Sequence, residues 1–222
     1  MFILTRRKLD MNAEQHLANF LDKNFYPWFK DKYNFKSVTR SKEQSMQIKG
    51  IDVSIETRNS ELVNIDEKAQ LYYINKGLPT FAFELNFINR RNDLAEGWLL
   101  NDELDTDYYL LVWPYATHTS LKTLTEEDIT KLECILIKKS KIHEYLIAKG
   151  WDKNRIYHKA DGIRNVDTYG RIAIEGEDNF YFFYSDPTKY TESPINLVIK
   201  KYVLKKLSKG IFVVTKDEVE EK

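Results

Sequence analysis

Two aspartates and a lysine are the residues of this chain best suited to chemistry. Asp52 follows Gly50 and Ile51, and Asp66 and Lys68 lie in a second β-rich segment after a short polar turn. Carboxylate oxygens are hard ligands that suit Mg²⁺ or Mn²⁺. A lysine beside them can neutralise one charge or hold an attacking water. The spacing is therefore typical of a metal-assisted hydrolytic site, and outward-facing charges on an exposed hairpin are the alternative.

The two segments predict a β-hairpin whose register pairs the aspartates. The loop would be residues 58–60, and the apolar partners Val53 and Ile65 would share one face. Asp52 would then face Asp66 on the other side, with Cβ atoms about 4.5–5.5 Å apart, where like charges are destabilising. A bridging cation or a nearby ammonium group would offset this repulsion. A slip of one residue would instead place the two carboxylates on opposite faces.

These segments resemble the signature of the PD-(D/E)xK, or restriction-endonuclease-like, nuclease superfamily. The family pattern is similar to Gly50-Ile51-Asp52 followed, after a turn, by Asp66-Glu67-Lys68. Gln70, two places after the lysine, and Glu14 on an N-terminal helix also fit the usual order of that family. The resemblance covers residues 12–90 and implies an α/β fold with a mixed central β-sheet flanked by helices, the restriction-endonuclease-like core.

By this resemblance, Asp52 and Asp66 bind Mg²⁺ or Mn²⁺, and Lys68 orients or helps to deprotonate the water that attacks phosphorus. Glu14 completes the metal site or has a structural role, and Gln70 contacts phosphate or ends its strand. The implied function is metal-dependent hydrolysis of DNA phosphodiester bonds. A catalytically inactive nucleic-acid or protein interaction module on the same fold is the alternative.

Two departures from the family pattern leave the metal ligands open. Ile51 stands where many members have proline, which changes little chemically. Asp66 stands where glutamate is commoner, which shortens the reach by one methylene group. If the register shifts, Glu67 replaces Asp66 as the ligand, and Glu84 in the next strand is a further acidic candidate.

The remaining pattern predicts a single domain over residues 1–222 that mixes helices and strands. Its core would be residues 12–90, followed by a sheet and helix extension over residues 91–215. The predicted helices are 12–29, a short helix from the cap Ser140 to Gly150, and a basic helix over 193–210. The predicted strands lie within 50–88, at 108–113 before Pro114, at 132–138, and in a hairpin of 171–175 with 180–184.

Charge and aromatic patterns bear on nucleic-acid binding. The 34 basic and 34 acidic side chains cancel, so the chain lacks the overall basicity of many nucleic-acid binders. The sum combines basic ends with an acidic middle, residues 50–136, that contains the predicted metal site. The aromatic run 180–184 favours a buried strand over a base-stacking platform. Five lysines within the last predicted helix form a basic stripe, which is either a solvated face or a phosphate-tracking surface: Lys200, Lys201, Lys205, Lys206 and Lys209.

The single cysteine, Cys134, excludes an internal disulfide and favours a reduced, cytoplasmic protein. Its apolar neighbours indicate a buried thiol. No apolar stretch is long enough to cross a membrane, so no membrane partner is expected. The expected partner is a nucleic acid, with DNA favoured over RNA. The sequence leaves the oligomeric state open, a homodimer included.

Overall fold

The chain folds into two compact units that alternate along the sequence. The computed structural model describes residues 2–41, 43–188 and 192–222. The first unit comprises Met1–Leu78, Asp105–Lys138 and Ser208–Lys222, and the second comprises Pro79–Leu104 and Lys139–Leu207. The predicted core, residues 12–90, therefore ends inside the second unit.

The described residues form six α-helices and twelve β-strands, which confirms the predicted α/β class. The helices are α1 (Phe2–Asn24), α2 (Tyr26–Lys32), α3 (Gln44–Ile48), α4 (Lys139–Ala148), α5 (Lys153–Asn165) and α6 (Lys201–Leu207). The strands are β1 (Ser37–Arg40), β2 (Val53–Glu56), β3 (Leu62–Ala69), β4 (Thr80–Ile88), β5 (Leu94–Glu96), β6 (Tyr108–Ala116), β7 (Ile129–Lys138), β8 (Gly170–Ile174), β9 (Glu177–Tyr184), β10 (Ile195–Lys200), β11 (Gly210–Val214) and β12 (Val219–Glu221).

The first unit contains a seven-stranded mixed sheet with the order β1-β2-β3-β6-β7-β11-β12. β3 and β6 run parallel, and the other neighbours are antiparallel. Leu17, Phe20 and Leu21 recur at helical spacing, so one face of α1 is apolar. These side chains are buried in one cluster with Val53 and Ile65 of the hairpin. This packing directs the odd-numbered side chains of β2 and the central part of β3 toward the helices.

The predicted helix over 12–29 is longer than expected and is broken. α1 already begins at Phe2, and the helical path is interrupted at Phe25 before α2. Pro27 lies in the first turn of α2, where its missing N–H costs nothing. The same ring would clash with a carbonyl one turn earlier in a continuous helix, which explains the break.

The hairpin of β2 and β3 has the predicted register. Val53 is opposite Ile65, and Ile55 is opposite Val63. The Thr57 N–H donates to the Glu61 carbonyl at 2.9 Å, which closes a loop of residues 58–60. Its last residue, Ser60, has a φ of 61°, the left-handed conformation that three-residue hairpin loops require.

The prediction that a strand ends before Pro114 is wrong, because β6 continues to Ala116. The Pro114 carbonyl accepts the Asn75 N–H at 3.1 Å, so the nitrogen of Pro114 points to the same side of the strand. β3 ends at Ala69, opposite Val112, and leaves that side without a strand partner. A proline is therefore tolerated, since no ladder hydrogen bond is lost.

The second unit contains a five-stranded antiparallel sheet with the order β5-β4-β10-β9-β8. The predicted hairpin of β8 and β9 is confirmed. Tyr145 of α4 and Trp151, just before α5, contact the ring of Phe180. The helices therefore cover the face that carries the even-numbered aromatic residues of β9.

The predicted basic helix over 193–210 is wrong in its first half. Residues 195–200 form β10, a central strand that pairs with both β4 and β9. Its apolar residues, such as Leu197 and Ile199, are fully buried between these neighbours. Only Lys201–Leu207 is helical, so Lys200 lies on a strand and Lys209 lies beyond the helix. The five lysines therefore do not form one helical stripe.

Two smaller predictions have clear outcomes. α4 already begins at Lys139, so Ser140 is not its cap, whereas Gly150 has the expected left-handed φ of 77° beyond its end. Cys134 is buried on β7, as its apolar neighbours indicated. Within the described part of the chain, every helix is too short or too polar to cross a membrane.

Candidate metal centre

The structure brings Asp52 and Asp66 together at the start of the hairpin. The regular pairing ends at Val53, and the Asp52 N–H then donates to the Ile65 carbonyl at 3.0 Å. The Asp52 Oδ2 accepts the backbone N–H of Glu67 at 2.7 Å, which turns this carboxylate across β3 toward Asp66. The two carboxyl groups interact, because the charge of Asp52 contributes to raising the pKa of Asp66.

Asp66 is a buried carboxylate with one uncompensated oxygen. Its side chain is 2% exposed, and its Oδ1 accepts a short hydrogen bond from Lys68 Nζ. Its Oδ2 is buried and accepts no hydrogen bond from any residue that the structure describes. Burial raises the pKa of Asp66 to about 7, with the charge of Lys68 opposing the shift and the charge of Asp52 adding to it. Burying an unsatisfied polar atom is costly, and such atoms commonly mark a site for an ion or for catalysis.

Lys68 is held as a cation by its acidic neighbours. Burial opposes its charge, but the charges of Asp66, Asp52 and Glu14 outweigh this effect and raise its pKa above the ordinary value. A lysine in this state donates hydrogen bonds and stabilises negative charge. Of the roles expected from the sequence, orienting a water suits this lysine better than deprotonating one.

Tyr109 is a member of the site that the sequence did not single out. It lies on β6 directly beside Asp66 in the parallel register, so both side chains share one face of the sheet. Tyr109 is fully buried, and burial together with the charge of Asp66 raises its pKa. The apolar strand around Tyr109 was predicted, but its pairing with β3 depends on a long-range contact that the local pattern does not encode.

Glu14 and Gln70 lie at the border of the site. Glu14 is an exposed residue of α1 whose charge acts on Lys68. Its neighbour Ala13 packs with Leu71 in a small apolar cluster, which docks α1 against the 3₁₀ turn that follows β3. Gln70 is half-buried just beyond β3, and its backbone N–H donates to the Val112 carbonyl at 3.0 Å.

The two alternative acidic ligands lie elsewhere. Glu67 points to the opposite face of β3, where its carboxylate accepts two bonds from Arg40 at 2.9 Å and one from the Tyr26 hydroxyl at 2.5 Å. These donors already satisfy it. Glu84 lies on β4 in the sheet of the second unit, opposite Asn196. Asp66 is therefore the acidic residue of β3 that shares a face with Lys68.

The oxygen donors of Asp52 and Asp66 suit a divalent cation that keeps part of its coordination sphere open. Among the described residues, no three or more His, Cys, Asp or Glu side chains converge as a ready metal cage. Mg²⁺ commonly binds through one or two carboxylates and fills its other positions with water and substrate phosphate. Asp52 and the uncompensated Oδ2 of Asp66 supply hard oxygen donors of this kind, so the residues fit such a cation.

Comparisons with known proteins add no relative to this picture. No family model, curated protein or solved structure matches the chain. The functional assignment therefore depends on the side chains described above and on the motif that they form.

Proposed function

We propose that the chain is a metal-dependent nuclease that hydrolyses DNA phosphodiester bonds at Asp52, Asp66 and Lys68. The observation that carries the proposal is the buried Asp66 Oδ2, which has no hydrogen-bond donor among residues 2–41, 43–188 and 192–222 and lies in a carboxylate pair beside a lysine. The arrangement agrees with the resemblance of these segments to the PD-(D/E)xK superfamily. The mixed sheet of the first unit, with α1 packed on one face, is also compatible with a restriction-endonuclease-like core.

In this proposal each side chain has a separate task. Asp52 and Asp66 hold Mg²⁺ or Mn²⁺, and the bound cation lowers the pKa of a water ligand and stabilises charge on the phosphate oxygens. The backbone N–H of Glu67 keeps the Asp52 carboxylate in position. Lys68, as an ammonium group, orients the attacking water or stabilises the developing charge. Tyr109 fills the space beside Asp66 and excludes bulk water from the buried carboxylate.

One observation favours the alternative of a catalytically inactive nucleic-acid or protein interaction module. Lys68 Nζ already donates to Asp66, so an ion pair compensates part of the charge without a cation. An inactive member of such a fold would keep this pair for stability alone. The two functions therefore differ in whether a cation competes with Lys68 for Asp66.

A cleavage assay with matched lysine variants tests the proposal. Single-stranded, duplex and branched DNA are incubated with the protein in Mg²⁺, in Mn²⁺ or in chelator. We expect cleavage that needs the cation and falls more than about 100-fold in Lys68→Ala, in line with the loss of one electrostatic group from an active site. Lys36→Ala, which removes a lysine paired with Glu56 beside the same hairpin, should cleave like wild type. Metal-independent cleavage, or equal rates in both variants, would refute the site.

A further inference from the structure

The five-stranded sheet of the second unit has a second face that combines aromatic and basic side chains. The helices cover one face, and we call the other the outer face. Alternation places Tyr181 and Phe183 of β9 on the outer face, opposite in direction to the buried Phe180 and Phe182. The interpretation of the run 180–184 as a buried strand is confirmed for Phe180, Phe182 and Tyr184, whereas Tyr181 is half-buried and Phe183 is exposed.

The register groups further residues around these rings. Phe183 lies directly opposite Arg171 of β8, and Tyr181 lies opposite Val198 of β10. The Arg171 guanidinium lies over the ring of Tyr181, 4.3 Å from its centroid. Phe183 is 38% exposed, and Arg171 is also exposed. The outer face therefore presents an exposed ring, Phe183, beside an exposed guanidinium, Arg171, that covers the half-buried Tyr181.

The charges on this face favour an anionic, extended ligand. Lys200 lies two residues beyond Val198 on the same face, and α6 follows it directly with the exposed residues Lys205 and Lys206. Lys200 therefore adds a second cationic side chain to the outer face. Glu84 of β4, which lies opposite Asn196, is an acidic residue of the same face on the side away from β8 and β9.

We infer that this outer face binds single-stranded nucleic acid, with one base stacked on Phe183, a second base on the Arg171 guanidinium that covers Tyr181, and phosphates near Lys200. Residues two apart on a strand are separated by about 7 Å, so Phe183 and the Arg171–Tyr181 stack can each meet one base of an extended chain. Exposed aromatic residues on a sheet stack unpaired bases in this way, and basic side chains follow the backbone. Bases of a duplex are already stacked on each other and cannot use the rings. The choice of nucleic acid as the ligand rests on the proposed nuclease function.

Binding is measured separately from cleavage. The Asp66→Asn protein in chelator is titrated against labelled oligothymidylate and oligouridylate of about 15 nucleotides, a length that covers one such surface, and against duplex DNA of equal length. Fluorescence anisotropy reports the dissociation constants, and circular dichroism reports folding. We expect both single strands to bind more tightly than the duplex, with an affinity that decreases as salt increases. A difference between the two single strands would show which sugar the face prefers.

Variants of the rings decide the inference. Phe183→Ala and Tyr181→Ala should each weaken single-strand binding roughly 5- to 100-fold, and Phe183→Trp should retain it. Tyr169→Ala is the matched control, because Tyr169 is 39% exposed in the same unit and packs on Tyr184 of the helix-covered face. Absence of single-strand binding, equal binding of the duplex, or equal losses in Phe183→Ala and Tyr169→Ala would overturn it.

The same experiments separate this inference from the proposed function. Binding that depends on Phe183, in a wild-type protein that cleaves no DNA with any cation, would refute the nuclease and retain the binding face. Cleavage that depends on Lys68, in a protein whose single-strand affinity is unchanged by Phe183→Ala, would refute the binding face and retain the nuclease.

Discussion

Replacing Asp66 with asparagine tests the burial of its carboxylate, from which the proposed metal centre follows. The pKa of Asp66 rises from an ordinary value of 3.8 to about 7, so between these pH values the native state keeps a proton that the unfolded state has released. The contribution of Asp66 to the free energy of unfolding of wild type then falls as pH rises through this range. A rise in pKa of this size lowers this contribution to the free energy of unfolding by about 4 kcal/mol between pH 4 and pH 8. Asparagine does not titrate, so Asp66→Asn should become more stable relative to wild type by about this amount over the same range.

Urea unfolding in chelator, followed by tryptophan fluorescence, measures this difference at each pH. The control Asp105→Asn removes an exposed carboxylate of the same unit and should show no comparable change. Added Mn²⁺ at pH 8 should stabilise wild type but not Asp66→Asn, because binding to the native state shifts the unfolding equilibrium. A stability difference that stays constant with pH, or a carboxyl NMR titration of Asp66 with its midpoint below pH 5, would refute the reasoning.

Two further predictions concern stability away from the metal centre. Arg40→Ala leaves the carboxylate of Glu67, whose side chain is 8% exposed, without its main partner, so we expect the free energy of unfolding in urea to fall by about 3–5 kcal/mol. The exposed control Arg58→Ala should lower it by less than about 0.5 kcal/mol. Similar losses in both variants would contradict the buried network. A Cβ at Gly162 in α5 would meet no described atom within 4 Å, so Gly162→Ala should raise the free energy of unfolding by about 0.5–1 kcal/mol. A Cβ at Gly97 would instead lie 2.5 Å from the Glu84 carbonyl oxygen. Gly97→Ala should therefore lower the melting temperature, and the opposite order of the two variants would contradict the packing.

Several features were predictable because they depend on neighbours in the chain. Alternating apolar residues in β2 and β3 specify which side of the hairpin is buried, and the short polar turn specifies the register. Asp66 and Lys68 are two residues apart on one strand, so they share a face in any structure that keeps this hairpin. The same alternation excludes Glu67 from that face. The pairing of a carboxylate with an ammonium group was therefore encoded locally.

The last predicted helix shows where local patterns mislead. Ser193 and Pro194 are typical of the start of a helix, and the leucines that follow recur at helical spacing. Residues 195–200 nevertheless form a strand between β4 and β9. A central strand exchanges hydrogen bonds with two neighbours, and β10 also buries its apolar side chains, which outweighs a weak helical preference. Those neighbours are distant in sequence, so no local pattern records them.

The available chemistry, two carboxylates and a lysine on one hairpin, is therefore encoded in the local sequence. The environment of these groups depends on the tertiary fold. Tyr109 reaches Asp66 through the parallel pairing of β3 with β6, and Glu14 reaches Lys68 through the docking of α1. Burial, and with it the raised pKa of Asp66, arises because these distant segments exclude water from the carboxylate. Desolvation depends on all surrounding atoms, and spacing along one strand cannot specify it.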